Sequence, residues 1–221
     1  MLDKKIISFL KELSKNNNRE WFNLHKPEYE ASLKSLEAFT NQLIAGIQKF
    51  DKELGNITFK ECVFRIYKDI RFSKDKTPYK TNMGVYLSKG GRKGGNAGYY
   101  LHIEPGGCML AGGIYMPDSD TLKLLRQEVF YNITEFKKII NEKNFKQLFG
   151  MIEGDKLVNA PKGFPDDFKE MDLLKYKSYS MVHGISEKIL FSEKACEYSL
   201  GVFKAMLPLN KFLNRARFSA Q

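Results

Sequence analysis

The segment RIYKDIRFSKDKTPYKT, residues 65–81, holds the side chains most able to do chemistry. It carries six basic residues and two aspartates within seventeen positions. Polar and apolar residues alternate from Val63 to Phe72, which predicts a strand. Side chains two positions apart on a strand lie on one face, about 6.5–7 Å from each other. The polar face of this predicted strand carries Arg65, Tyr67, Asp69 and Arg71, and its apolar face carries Phe64, Ile66, Ile70 and Phe72.

The charge pattern of this segment suits the binding of an anion. An aspartate between two arginines can pair with either one and leave guanidinium donors for a carboxylate or phosphate. Pro78 favours extended geometry at Thr77, so the lysines are expected to project from a loop or sheet edge. The predicted ligand-binding residues here are Arg65, Tyr67, Asp69, Arg71, Lys74, Asp75, Lys76, Tyr79 and Lys80. The alternative is a solvated, salt-bridged sheet face whose lysines protect an edge.

A second polar alternation follows in the segment GYYLHIE, residues 98–104. Tyr100, His102 and Glu104 share one face of the predicted strand. A histidine two residues from a glutamate can act as an acid–base pair, so His102 and Glu104 are candidate catalytic residues and Tyr100 a candidate ligand contact. If Leu101 and Ile103 face the core, these residues join the polar surface of the first segment. The alternative is a hydrogen-bonded histidine on a sheet surface.

The sequence contains no recognisable metal or cofactor motif, and the cofactor is left unassigned. Three cysteines are widely spaced without a CxxC pair, and three histidines are dispersed. The glycine-rich stretch GGRKGG lacks the GxxxxGK[ST] spacing of a phosphate-binding loop and predicts a hairpin tip. The two glycines within AGGIY, residues 111–115, indicate a bulge or the close approach of another chain segment or a ligand.

The net charge of +10 permits contact with nucleic acid, phosphorylated ligands or anionic surfaces. The chain end adds basic residues and no acid after Glu197: Lys204, Lys211, Arg215 and Arg217. Three hypotheses therefore stand: a domain that binds, and could act on, an anionic small molecule; a nucleic-acid-binding module; and a structural or protein-interaction role. The N-terminus lacks the apolar core of a signal peptide, and no apolar run reaches the roughly 18 residues of a membrane span. We therefore expect a cytoplasmic protein without a membrane partner.

The elements that must position these residues form one α+β domain. Hydrophobic periodicity predicts a helical part over 1–50, a sheet core over 60–116, and a mostly helical part with one further strand over 117–221. The predicted strands are Val63–Phe72, Met83–Ser88, Gly98–Glu104 and Cys108–Tyr115, with a fifth in YKSYSMVHGI. Their links are too short for parallel crossovers, so we expect an antiparallel meander of about four to six strands, flanked by N-terminal and C-terminal helices.

Several stretches occur together in an order that is typical of one family: NNNREWFNLHKPEYE, RIYKDIRFSKDKTPYKTNMGVYL, GYYLHIEPGG, GGIYMPD and PKGFPDDF. With these motifs, which span nearly the whole chain, the sequence resembles the uncharacterised bacterial family catalogued as domain of unknown function 2461. The resemblance implies a single domain and draws attention to residues 65–80 and to His102 and Glu104. It implies no reaction and no catalytic assignment.

Overall fold

A four-stranded antiparallel sheet organises the computed structural model, which describes residues 1–71, 73–150, 152 and 154–218. The strands lie in chain order: β1 Met83–Leu87, β2 Gly98–Ile103, β3 Met109–Ile114 and β4 Tyr179–Gly184. The predicted meander is confirmed, and its three strands agree with prediction to within one residue at each end. The strand expected in YKSYSMVHGI is confirmed as β4. The α+β fold class is therefore confirmed.

Ten α-helices are described, and they precede and follow the sheet: α1 Lys5–Lys15, α2 Arg19–Leu24, α3 Lys26–Phe50, α4 Phe59–Cys62, α5 Ser119–Tyr131, α6 Ile133–Ile140, α7 Lys143–Phe149, α8 Met171–Leu174, α9 Glu187–Leu190 and α10 Ala195–Phe218. Side-chain caps fix several starts, because an N-cap oxygen satisfies an amide of the first turn. Asn18, Asp118 and Ser186 accept hydrogen bonds from the first-turn amides of α2, α5 and α9.

The two faces of the sheet have different surroundings. Helix α10 packs against β3 and β2 on the face that we call the inner face. Tyr99 and Leu101 are buried there, and the Tyr99 ring lies 5.3 Å from that of Phe203. Gly112 also faces α10: a β-carbon at this position would lie 2.4 Å from the Met206 sulfur. The predicted close approach of a chain segment to AGGIY is therefore confirmed, and the alternation places Tyr100 and His102 on the opposite, outer face.

The predicted strand Val63–Phe72 is wrong. In its place the chain leaves α4, touches β1 through an isolated bridge between Val63 and Val85, and then folds back on itself. Lys80 N donates to Ile66 O and Lys68 N donates to Pro78 O, which closes residues 66–80 into a loop. An alternating pattern forms a strand only when a neighbour completes the ladder, and after Phe64 no described strand does so. Residue Phe72 lies outside the described residues.

We call residues 65–71 and 73–81 the basic loop, and the N-terminal helices anchor it. The Asn17 side chain donates to Tyr79 O at 2.9 Å and accepts from Tyr79 N at 3.1 Å. The Phe22 ring stacks on the Tyr79 ring at 4.0 Å with an interplanar angle of 13°. The turn between α1 and α2, together with Phe22 of α2, therefore holds the C-terminal arm of the loop.

Replacing Asn17 with alanine is expected to loosen the basic loop and to lower the free energy of unfolding by about 1–2 kcal/mol, since two half-buried hydrogen bonds are lost. Amide hydrogen exchange at Lys68 and Lys80 is the direct measurement, and both should exchange faster. Asn16→Ala is the matched control, because the Asn16 side chain bonds only Glu12 O within its own helix end. Unchanged exchange at both amides in Asn17→Ala would contradict the anchoring role.

Candidate functional site

A line of three hydrogen-bonded side chains runs along β2 on the outer face. Tyr100 Oη lies 2.9 Å from His102 Nδ1, and His102 Nε2 lies 3.1 Å from Glu104 Oε2. A carboxylate only accepts, so Nε2 carries the proton and a neutral His102 offers the Nδ1 lone pair to the Tyr100 hydroxyl. The three residues predicted to share a face therefore form one connected chain of donors and acceptors. We call it the Tyr–His–Glu line.

Burial affects the phenol at the Tyr100 end of this line. His102 is only 8% exposed, whereas the Glu104 side chain is 40% exposed at its outer end. Burial, with a smaller contribution from the Glu104 charge, raises the pKa of Tyr100 to about 12. The phenol therefore keeps its proton at neutral pH, and the Tyr100 hydroxyl donates a hydrogen bond to His102 Nδ1. A histidine held by a carboxylate and facing a hydroxyl has the arrangement of a general base with its orienting group.

Phe64 and Gly84 surround the Tyr100 end of the Tyr–His–Glu line. The Phe64 ring meets the Tyr100 ring edge-on at 6.0 Å, and Phe64 N donates to Gly84 O. Gly84 pairs with His102 across β1 and β2, and a β-carbon there would lie 2.5 Å from Tyr100 Oη. Only glycine leaves room for the tyrosine at this position. Sequence reasoning missed both residues, because the alternating pattern assigned Phe64 to the core, whereas it is 40% exposed.

Lys80 of the basic loop lies beside this end of the line, and Arg65 lies near Lys80. The Lys80 ammonium stands 5.6 Å from the centre of the Phe64 ring. Burial and the nearby charge of Arg65 lower the pKa of Lys80. Neither Arg65 nor Lys80 forms an ion pair with a carboxylate of the described residues. Two close positive charges without a paired carboxylate are electrostatically favourable for an anion.

Apart from Lys74, the other charged residues of the basic loop bind partners within the loop itself. Arg71 binds Asp69 through two hydrogen bonds of 2.9 and 2.7 Å, which lower the pKa of Asp69 to about 2. Lys68 and Thr77 bind Asp75 and hold its pKa well below the usual range. Lys76 donates to Ile70 O. The aspartates therefore bind and neutralise part of the basic charge that the sequence assigned to an anion.

The structure divides the predicted ligand-binding residues into three groups. Lys80 lies over the Phe64 ring, and the charge of Arg65 acts on both Lys80 and Asp69. Asp69, Arg71, Lys74, Asp75 and Lys76 lie at the outer part of the loop, where Lys74 is exposed. Tyr79 is 3% exposed and packs on Phe22, whereas Tyr67 is 52% exposed beside it. Burial leaves Tyr79 in a packing position and gives Tyr67 an accessible ring.

The remaining histidines have structural partners. The His25 ring stacks on Trp21 at 3.9 Å, and His183 lies between Leu148 O and the Tyr198 hydroxyl. Within the described residues, no group of three or more histidine, cysteine or acidic side chains is placed to hold a metal ion. The same part of the chain contains no helix long and apolar enough to cross a membrane.

Comparisons with known proteins give one match. The family model described as "Conserved hypothetical protein (DUF2461)" matches residues 5–212, which include the basic loop, the sheet and most of α10. No curated protein and no solved structure matches the chain. The match covers nearly the whole chain, and its description names no reaction.

Proposed function

The chain belongs to the conserved hypothetical protein family DUF2461, and we propose that it binds a phosphate- or carboxylate-bearing small molecule on the outer face of its sheet. The observation that carries this proposal is the position of Arg65 and Lys80. Both lack an ion pair with a described carboxylate; Lys80 lies over the Phe64 ring at the Tyr100 end of the Tyr–His–Glu line, and Arg65 lies near enough to Lys80 to lower its pKa. This site combines cations, an aromatic surface and a proton acceptor within a few side chains.

Each part of the proposed site has a distinct role. Arg65 and Lys80 neutralise the anionic group, and the guanidinium of Arg65 can bind two of its oxygens at once. The exposed Phe64 ring supports an apolar or planar part of the ligand. His102 already accepts from Tyr100, so a hydroxyl of the ligand reaches the line through Tyr100 Oη. A proton transferred along the line ends on His102, and Glu104 stabilises the imidazolium that results.

We expect an anionic ligand to stabilise the protein, and the effect should depend on Arg65 and Lys80. A thermal-shift screen with inorganic phosphate, pyrophosphate, citrate and ATP measures this. A ligand at one hundred times its Kd raises the free energy of unfolding by about 2.7 kcal/mol. The Arg65→Ala/Lys80→Ala variant should lose most of the shift given by the best of these anions.

The matched control removes two positive charges elsewhere. Lys34→Ala/Lys188→Ala changes the net charge equally at two exposed lysines outside the basic loop. Its thermal shift should equal that of the wild type. An equal loss in both double variants would mean that the anion responds to net charge rather than to this site, and the proposal would then be wrong. The absence of any shift in the wild type with all four anions would also reject it.

A second candidate is the binding of single-stranded nucleic acid. Phe64 and Tyr67 are both exposed and flank Arg65 in the chain, and base stacking between cations is a common means of binding single strands. The C-terminal basic group supports it less, because Arg215 pairs with Glu128 and Glu135. The side chain of Arg217 lies outside the described residues.

Fluorescence anisotropy with a labelled single-stranded oligonucleotide tests the second candidate. If the protein binds a single strand, the logarithm of the binding constant should fall linearly with the logarithm of the salt concentration. The slope should be about −0.7 for each phosphate contacted. Phe64→Ala/Tyr67→Ala should weaken binding by about 1–3 kcal/mol for each base that loses its stacking partner. Affinity that is insensitive to salt, or unaffected by this variant, excludes the candidate and leaves the small-molecule proposal intact.

A further inference from the structure

A second recess lies away from the basic loop, where α6, α7 and α10 meet the end of β1. Its volume is about 820 Å³. We call it the α6–α10 groove and define it by its apolar lining, which comprises Ile139, Phe145, Ala205, Pro208 and Phe212. Ligand sites commonly have volumes of roughly 300–1,000 Å³ and predominantly apolar walls. The size and lining of the groove therefore fit a small molecule with an apolar body.

Helix α10 creates the groove through its short side chains. Ala205, Pro208 and Phe212 follow one another at spacings of three and four residues, so they lie on one face of the helix. Ala205 and Pro208 are short, whereas Phe212 is buried and closes the floor. Pro208 also lacks an amide hydrogen, which leaves the Lys204 carbonyl without its helical donor. The recess is a consequence of these residue types along one helix face.

The rim of the groove has a positive bias. Lys138 and Lys211 are exposed, line the groove, and form no ion pair with a described carboxylate. Of the carboxylates beside them, Glu135 binds Arg215, whereas Glu142 accepts from Phe145 N at the start of α7 and keeps its negative charge. Glu53 is the further acid of the lining. The lining carries four basic and three acidic side chains, and this excess of positive charge favours a negatively charged group at the rim.

We infer that the α6–α10 groove binds a free amphiphilic acid, with its apolar chain or ring on the floor and its anionic head between Lys138 and Lys211. The apolar floor supplies the affinity, because each buried methylene group contributes about 0.8 kcal/mol. The lysines select the sign of the head group. The lining of the groove includes neither Arg65 nor Lys80 nor any residue of the Tyr–His–Glu line. The inference is therefore independent of the proposed function.

Isothermal titration with three probes of one chain length tests the inference: decanoate, decanol and decyltrimethylammonium. Decanoate should bind the wild type, and decyltrimethylammonium should bind at least tenfold more weakly. The Lys138→Ala/Lys211→Ala variant should bind decanoate at least tenfold more weakly than the wild type and bind decanol with unchanged affinity. Ala205→Phe, which fills the groove, should abolish binding of decanoate and decanol alike. The Lys34→Ala/Lys188→Ala variant should bind decanoate as the wild type does.

Three results would overturn the inference. The first is equal affinity for the anionic and cationic probes. The second is decanoate binding that the Lys138→Ala/Lys211→Ala variant retains; this variant changes only exposed lysines, so it remains informative if Ala205→Phe fails to fold. The third is binding to phosphatidylglycerol vesicles that is lost in the lysine double variant, because it would assign the groove to a lipid head group rather than to a free acid.

Discussion

Asn210→Ala is expected to lower the free energy of unfolding by about 2–6 kcal/mol, because it leaves two buried backbone groups without partners. Asn210 is 2% exposed in α10, accepts from Gly113 N at 2.8 Å and donates to Gly98 O at 3.0 Å. One side chain therefore connects the long helix to β2 and β3. A buried donor or acceptor that loses its partner costs its full desolvation energy.

Urea unfolding followed by circular dichroism measures this effect. In a chain of this length, each kilocalorie lost lowers Tm by about 2–4 °C. Asn214→Ala should lower the free energy of unfolding by less. The Asn214 side chain also accepts from Ala97 N and donates to Ala97 O, but it is only half-buried. Asn144→Ala, on the exposed surface of α7, should be nearly neutral. A small effect at Asn210 would mean that water or a neighbouring group satisfies the two backbone atoms.

Gly84→Ala is expected to displace Tyr100 from His102 and to remove the candidate site. The added β-carbon would lie 2.5 Å from Tyr100 Oη and 2.8 Å from its ring, so the tyrosine must move. Overpacking of this kind costs about 1–3 kcal/mol. Once displaced from its buried position, the Tyr100 phenol should lose its raised pKa of about 12 and titrate nearer to 10.

Ultraviolet titration of the phenolates measures this change. Relative to the wild type, Gly84→Ala should gain one tyrosine that ionises near pH 10, and the same gain should be absent when Tyr100 is replaced with phenylalanine. Any stabilisation by the anions tested above should also weaken. Gly201→Ala is the control, since its β-carbon would meet open space in α10 and helix propensity favours alanine. A titration curve identical to that of the wild type would show that Tyr100 had not moved.

The elements of the sheet and its flanking helices were predictable because their signals are local. The alternation of β1 to β3 and the short glycine-rich links between them allow few arrangements besides an antiparallel meander. The caps at Asp118 and Ser186 are likewise readable over a few residues. The spacing of Tyr100, His102 and Glu104 placed them on one face, since Leu101 and Ile103 had to be buried.

The basic loop was mispredicted for the opposite reason. Its alternation is as regular as that of a strand, but its polar atoms find partners within the loop and in distant segments. Asn17 binds Tyr79 across 62 positions, and the backbone amide of Lys80 binds the carbonyl of Ile66. Pairings of this kind depend on where the chain folds back, and no pattern along a short window records it.

The fold class, the meander and the shared face of Tyr100, His102 and Glu104 could be inferred from the sequence alone. Those properties follow from periods of two and about 3.6 residues, which are set by the backbone of each element alone. Only the tertiary structure shows that Phe64 lies beside Tyr100, that Lys80 lies over the Phe64 ring, and that Gly84 makes room for the Tyr100 hydroxyl. These outcomes depend on the packing of segments that are distant in the chain.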